Sequence, residues 1–535
     1  TSQDRRNYSL IAPAIEALSV PSRMAQRSAL AAIILHLGWV GRDFAQQAGR
    51  NYEGHPQMTL QECTREGGCA SRRLPVTLDA NWRWLHDVGG YTNCYSGSDW
   101  NSQLCPDPDT CARNCALEAV SSSEYVSTYG ITSSWDGSLQ LRFATQHQYG
   151  VNYGSRVYLL DNDNSYYMFK LKNREFALEV DVSALPCGLN GAVYFAEMDR
   201  FGGQSFNNQA GAKMGTGYCD AQCPHDIKFI NGAANMLNWD RQKSLGHFGS
   251  CCAEMDIWEA NSQATAFTPH PCSTAGPLRC EGTACGDAAT GERYRGVCDK
   301  DGCDFNSYRL GDRGFYGLGD GFQIDTARPV TVVTQFLTAD GTDSGALTEI
   351  RRFYMQDGAI VPNSNASILG ARGRSSITDD TCRVQKSAFG DTNDFDKKGG
   401  LTRMGEALDR GMVLVMSLWD DAASNMLWLD AAYPLDKAES SPGVARGPCS
   451  GRANSPEFLR AHHPDASVRF ARLFVGTLGS TVATAPHTVS AHRRQQRPRQ
   501  FRQQHGGPRR SRGSRWGSGG EGADAAIMLQ ADLEL

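Results

Sequence analysis

The sequence predicts an all-β fold: one large, curved antiparallel β-sandwich with long disulfide-pinned loops that form a cleft or tunnel. Three observations point there. Short runs rich in β-branched and aromatic residues recur between Gly, Asn and Asp, while helical periodicity is scarce. Glycine is frequent, 56 of 535 residues, which suits a turn-rich body. The chain has 18 cysteines, an even number and too many for a reducing cytosol.

Leu139-Gln-Leu-Arg-Phe143 and Phe176-Ala-Leu-Glu-Val-Asp-Val182 alternate apolar and polar residues, as half-buried strands do. Ala192-Val-Tyr-Phe195, Phe322-Gln-Ile-Asp325, Val330-Thr-Val-Val-Thr-Gln-Phe336 and Ile350-Arg-Arg-Phe-Tyr354 follow. Gln356-Asp-Gly358 then supplies a hairpin turn into Ala359-Ile-Val361, because Asp-Gly accepts two residues at positive φ. Gly411-Met-Val-Leu-Val-Met-Ser-Leu-Trp419 is apolar on both faces and reads as a fully buried strand. No repeat of roughly 20–50 residues is present. Many strands and long loops without a repeat fit one large sandwich, whose concave face would take an extended ligand.

The length alone allows one large domain or several. Charge is nearly balanced, 53 basic against 58 acidic residues, and 40% of the chain is hydrophobic. Bulk nucleic-acid affinity, disorder and a membrane bundle are not suggested. Zinc ribbons and fingers pair CxxC with a second CxxC or with HxxxH. No CxxC occurs here, so disulfides are the better reading and no metal is expected. Neighbouring Cys251 and Cys252 point to opposite faces of a strand and suit two separate bridges.

Both ends differ from the body. The chain begins at Thr1, and residues 1–23 read as an untranslated or extraneous extension. Residues 24–45 read as a signal peptide: Met24-Ala-Gln-Arg27, then a mostly apolar stretch at 29–40, too short to span a bilayer. Cleavage is expected after Ala45. Residues 46–481 form the working domain. Residues 482–535 form an Arg/Gly-rich low-complexity tail with nine arginines, no lysine and four acidic residues. Without that tail the chain holds 44 basic against 54 acidic residues. The tail's single Trp516 gives no aromatic interleaving for base stacking.

One segment carries chemistry: Glu254-Met-Asp256-Ile-Trp-Glu259, directly after Gly249-Ser-Cys-Cys252. On a helix, Glu254 and Asp256 would lie about 200° apart. On a strand they share a face, and Glu259 has the wrong parity unless a bulge intervenes. With a bulge, all three enter one cleft. Two of them then suit the separation of about 5–5.5 Å used by retaining glycosidases. Asp256 would hydrogen-bond Glu254 and tune its charge. The competing reading is an acidic strand face in open solvent.

Glu-x-Asp-x-x-Glu after this Cys-Cys doublet resembles glycoside hydrolase family seven, the cellobiohydrolases and endo-β-1,4-glucanases. The resemblance spans nearly all of residues 46–481. It includes Asp79-Ala-Asn-Trp-Arg-Trp84, Leu185-Pro-Cys-Gly-Leu-Asn-Gly191 and Gly217-Tyr-Cys-Asp-Ala-Gln-Cys223. It continues through Thr268-Pro-His-Pro271, Asp301-Gly-Cys-Asp304, Met416-Ser-Leu-Trp-Asp420 and Met426-Leu-Trp428. The family implies a concanavalin-like jelly roll and a secreted, extracellular retaining cellulase acting by double displacement. Glu254 matches the nucleophile, Glu259 the general acid/base, Asp256 the supporting carboxylate and His270 a histidine near the reacting sugar. Trp82, Trp84, Trp419 and Trp428 match sugar-stacking platforms. Arg156, Asn190, Tyr194, Asp220, Gln222 and Lys228 match the glycone side. Arg293, Asp301, Asp304, Arg309 and Arg446 match the product side. No cofactor is implied.

The family pairing implies Cys63–Cys69, Cys94–Cys115, Cys105–Cys111, Cys187–Cys449, Cys219–Cys252, Cys223–Cys251, Cys272–Cys298, Cys280–Cys285 and Cys303–Cys382. A tenth bridge common in the family loses both partners together here, with Ala116 at one position. The loop from Cys272 to Cys298 is full length, as in cellobiohydrolases, and the segment 235–250 is intermediate. Two tyrosines that meet across the family's tunnel roof are Ala289 and Ala423 here. The expectation is a monomeric cellobiohydrolase that releases cellobiose from reducing ends through a somewhat open tunnel. An endoglucanase of the same family is the alternative, and a non-catalytic β-glucan lectin is a further one. No cellulose-binding module follows, no membrane or nucleic acid is a partner, and Asn365-Ala-Ser367 is a glycosylation sequon.

Overall fold

The structure, a computed structural model, describes residues 46–204, 207–287, 292–368 and 370–482. The expected extension, signal peptide and cleavage point, Ala289, and the tail beyond Val482 lie outside the described residues.

The principal strands are β1 (Gln57–Thr64), β2 (Gly68–Leu78), β3 (Leu139–Arg142), β4 (Ser155–Asn162), β5 (Arg174–Asp181), β6 (Leu189–Ala196) and β7 (Glu254–Ala260). They continue with β8 (Thr265–His270), β9 (Val330–Thr338), β10 (Leu347–Gln356), β11 (Ala359–Pro362), β12 (Met412–Asp420) and β13 (Ser467–Thr477). One sheet runs β11-β10-β9-β5-β13, with β1 and β3 both pairing β13. The other runs β2-β4-β12-β6-β7-β8. Strand β2 belongs to both: its first part pairs β1, and Val76–Leu78 pair β4. All these pairings are antiparallel except β1 with β13. This is a jelly-roll sandwich, and its twisted sheets close over one apolar core.

Alternation builds that core. Val157, Leu159, Val193, Phe195, Met255, Leu414, Met416 and Leu418 point inward from the second sheet and are buried with Phe176, Leu178, Val332 and Phe336 of the first. The intervening residues face the concave side. In β12 both faces are buried except at Trp419, as expected for that apolar run. The Asp-Gly turn also forms as read: Asp357 and Gly358 have φ of 53° and 78° and join β10 to β11. The Phe322–Asp325 run forms only a two-residue strand, Ile324–Asp325, paired in parallel with Tyr316–Gly317.

Two 11-residue helices, α1 (Asp379–Phe389) and α2 (Gly400–Arg410), were not expected, although α2 buries Leu401, Met404, Gly405 and Leu408 at helical spacing. In α1 the buried face holds Cys382, Gln385 and Lys386 beside Phe389, so polar residues interrupt the apolar stripe. Their partners are non-local: Cys382 bridges Cys303, and Gln385 donates to the Asp304 carbonyl at 2.7 Å.

All nine disulfides implied by the family pairing form. Cys251 and Cys252 take different partners, Cys223 and Cys219, as opposite strand faces require. No helix among the described residues is long and apolar enough to cross a membrane.

Candidate active site

Strand β7 carries the acidic trio. Against β8, Glu254 pairs with His270, Asp256 with Thr268 and Glu259 with Ala266. Three steps along β7 therefore match two along β8, which is a β-bulge. The ladder with β6 shifts at the same place: Tyr194 pairs with Asp256, but Val193 pairs with Trp258. Ile257 and Trp258 both enter the core and are fully buried. Parity is thereby corrected, and Glu254, Asp256 and Glu259 all line one cavity of about 490 Å³. The solvent-exposed acidic face is excluded: Glu254 and Asp256 are 7% and 4% exposed.

Each acid has its own neighbours. Ala221 N–H donates to Glu254 Oε2 at 3.1 Å. Asn190 Nδ2 donates to Glu259 Oε1 at 3.0 Å. Asp256 Oδ2 lies 3.0 Å from His270 Nε2, and the other ring nitrogen lies 2.8 Å from the Asp299 carbonyl. The expected Asp256–Glu254 hydrogen bond is replaced by this ion pair, and Asp256 acts on Glu254 through its charge. Burial, then the Asp256 carboxylate, hold both glutamates well above the usual carboxylate range. Burial alone would push His270 down, but Asp256 overrides it and holds the imidazole up at about 9. His270 is therefore a fixed cation at neutral and acid pH, with both ring nitrogens donating.

At the other end of the cavity, burial would raise Asp301, but Arg293 at 2.7 Å and Lys386 hold it at about 2. Arg309 pairs with Asp304, and its Nη2 lies 2.7 Å from Asp391. Arg446 is pushed down to about 10 by burial and by Arg309. These shifts set a stability window. His270 is raised from 6.5, so its contribution of about 3 kcal/mol is complete below pH 6.5 and lost as pH rises to about 9. Asp301 is depressed, so its contribution is present above pH 3.8 and lost as pH falls toward 2. The protons held by Glu254 and Glu259 also make stability fall as pH rises. Calorimetry should place the highest Tm near pH 4 to 5, where Asp301 is ionised and both glutamates still hold their protons, with a fall toward pH 9 that His270→Asn reduces. A Tm unchanged from pH 5 to 9 would refute this.

Most of the sequence-predicted residues converge here. Arg156, Tyr194, Asp220, Gln222, Arg293, Asp301, Asp304, Arg309, Trp419, Trp428 and Arg446 line the cavity with the acids and His270. The Trp419 and Trp428 rings lie 6.2 Å apart at 29°, and Asp421 Oδ2 accepts from Trp428 Nε1 at 3.1 Å. Arg156 donates to Asp79 Oδ2 at 2.9 Å and lies 3.3 Å from the Tyr218 ring centroid. Tyr194, Tyr218 and Asp220 form a hydroxyl relay at 2.8 and 2.6 Å.

Four residues lie elsewhere. Asn190 stands behind Glu259. Lys228 Nζ donates to the Asn81 carbonyl at 2.6 Å, and burial pushes it down to about 8. Trp84 is half-buried, held by Asn93 at 2.7 Å and stacked beside Tyr91. Trp82 is 4% exposed and sits in the apolar core, so here it packs rather than offers an open ring face. Sequence reading missed Tyr218, Lys386, Asp391 and Tyr433 on the cavity wall. Tyr218 sat inside a recognised motif. Lys386 had no local signal, because only the placement of α1 brings it in.

A jelly-roll sandwich with paired buried carboxyls in a polar, tryptophan-walled cavity defines a glycoside hydrolase. Comparison with known proteins gives the same class. The glycosyl hydrolase family 7 model matches residues 48–482. The chain is 48% identical to a cellobiohydrolase from Daphnia pulex, covering 81% of this chain and 100% of that one, with a TM-score of 0.79. It is 42% identical to the Melanocarpus albomyces cellobiohydrolase solved with cellotetraose (81% and 99% covered, TM-score 0.75). Against the Humicola insolens endocellulase EGI the identity is 38% (81% and 100% covered, TM-score 0.69). The chain belongs to glycosyl hydrolase family 7.

Proposed function

We propose that this chain is a secreted, monomeric retaining cellulase that cleaves β-1,4-glucosidic bonds and works as a cellobiohydrolase from reducing ends. The observation that carries this reading is the bulge that turns Glu254, Asp256 and Glu259 into one cavity. A glycosidic oxygen is a poor leaving group and must be protonated as its bond breaks. Glu259, kept protonated by burial and nearby negative charge, supplies that proton. Glu254 attacks the anomeric carbon in its ionised form, which burial and the Asp256 and Asp220 charges oppose and the Ala221 N–H favours, and it forms a glycosyl ester. Glu259, now a base, takes a proton from water, which displaces Glu254. Asp256 holds His270 as its cation, and the pair steadies the nucleophile side.

Trp419 and Trp428 supply flat apolar faces for pyranose rings. Trp84 serves an outlying glucosyl unit, beyond the cavity. Arg156, Tyr194, Asp220 and Gln222 bind the glycone, while Arg293, Asp301, Asp304, Arg309 and Arg446 bind the leaving cellobiose. Asn190 orients Glu259, and Lys228 braces the glycone wall through Asn81. The cellobiohydrolase relatives support this mode. Nine disulfides support secretion, and exposed Asn365 is proposed to carry a glycan.

The endoglucanase reading is favoured by one feature: Ala423 is exposed and short at the cleft rim. A viscosity-against-soluble-sugar assay on a soluble cellulose derivative separates the two. Slow viscosity loss with steady cellobiose release is expected. Rapid viscosity loss with few soluble sugars would sink the cellobiohydrolase mode.

A further inference from the structure

The bulge in β7 has a structural cost. Where one residue is inserted, the ladder on both sides is interrupted, and a backbone group in the sandwich interior loses its regular partner. The carbonyl of Ile257 lies at that point, between Asp256 and Glu259. It is hydrogen-bonded by a side chain from the opposite sheet: Arg352 Nη2 donates to it. The same nitrogen donates to Thr334 Oγ1 at 3.1 Å.

Arg352 sits in β10, where Ile350, Arg352 and Tyr354 point inward by period two. It is 2% exposed. Its guanidinium carbon lies 3.9 Å from the Phe267 ring centroid. Phe267 is the β8 residue between Ala266 and Thr268, the two that pair across the bulge. One side chain therefore touches both strands at the irregularity. Among the described residues no carboxylate pairs with it; apart from the Ile257 carbonyl and Thr334, its polar neighbour is the Tyr354 hydroxyl. An unpaired buried cation is expensive. Burial accordingly lowers its pKa below the usual arginine value. An apolar side chain would fill this core position at less cost, so stability alone does not account for a guanidinium there.

We propose that Arg352 is a positioning residue for Glu259: it caps the Ile257 carbonyl freed by the bulge and so sets the offset that aims Glu259 into the cavity. It does not touch substrate. The proposal rests on the reading of Glu259 as acid/base, and the test keeps the two apart.

Arg352→Met removes every donor at similar volume, and Arg352→Lys keeps one. Both are assayed with Glu259→Ala on aryl β-cellobiosides whose leaving groups span a range of acidity, with and without azide. A misplaced acid matters most when the leaving group is poor. Arg352→Met is therefore expected to lower kcat/KM by about 10²-fold on a poor leaving group and only a few-fold on dinitrophenolate. KM should change little, and Arg352→Lys should fall between Met and wild type. Azide attacks the anomeric carbon of the glycosyl ester, displaces the Glu254 carboxylate and needs no base, so it should restore turnover as a glycosyl azide.

An equal loss on every leaving group, or no loss, while Glu259→Ala shows the dependence, overturns the role of Arg352. Absence of the dependence in Glu259→Ala overturns the assignment of Glu259 and, with it, this proposal. Should Arg352→Met not fold, Arg352→Lys decides: a steeper leaving-group dependence supports positioning, and an unchanged one refutes it.

Discussion

Glu254→Gln is expected to abolish hydrolysis while leaving the fold and ligand binding intact. The amide keeps the shape of the carboxyl and can still accept from Ala221 N–H, now 3.1 Å from Oε2. It cannot attack an anomeric carbon. Loss of a covalent nucleophile should lower kcat by at least about 10⁴-fold, or about 5.5 kcal/mol of transition-state stabilisation. Binding of cellobiose, measured by calorimetry, should stay within a few-fold. The substitution also replaces a buried carboxyl, whose ionised form burial, Asp256 and Asp220 disfavour, with a neutral amide. Tm should therefore rise slightly, the usual sign of a site that trades stability for activity. Turnover within ten-fold of wild type would overturn the assignment of the nucleophile.

Removing the Cys187–Cys449 bridge should cost the most stability of any single disulfide. These residues are 262 apart in sequence. In the chain-entropy account, closing so long a loop contributes about 5 kcal/mol, against about 2 kcal/mol for a loop as short as Cys280–Cys285. The bridge also has local company. Asp430 accepts from Gly188 N–H at 2.8 Å, from Asn261 at 2.7 Å and from Asn454 at 2.6 Å. Cys449 N–H donates to the Asp430 carbonyl at 3.0 Å. This knot fixes the chain two residues after Trp428 to the start of β6. The double serine variant should lose roughly 5 °C of Tm and bind cellobiose more weakly, because Trp428 is less firmly held. The Cys280/Cys285 double variant should lose less than half as much. The reverse order would refute the loop-length argument.

Much of this protein was legible in local patterns. Alternation placed β3, β5, β6, β9 and β10 within a few residues of their ends, because a half-buried strand records its two faces in its own sequence. Asp357-Gly358 announced its turn because few other pairs accept positive φ twice. Cys251-Cys252 announced two bridges because adjacent strand residues diverge. The acidic trio announced itself by type and spacing, and its parity conflict announced the need for a bulge.

The remainder depended on partners distant in sequence. Helix α1 hid behind buried Gln385, Lys386 and Cys382, whose partners lie in other segments. Trp82 matched a platform motif, yet its surroundings bury it in the core. Asp256 was expected on Glu254, but Thr265–His270 folds back beside β7 and brings His270 within 3.0 Å.

Composition, strand period and the carboxyl spacing are local properties, so the sequence alone specified an all-β, disulfide-rich body and the acids of its site. Register and burial are collective properties, settled only when two sheets pack face to face. Tertiary structure therefore decided which side of β7 Glu259 occupies, which base pairs with Asp256, and that an arginine from the opposite sheet would cap the bulge. Each outcome requires a buried polar group to find its partner across the fold, and no local pattern records that partner.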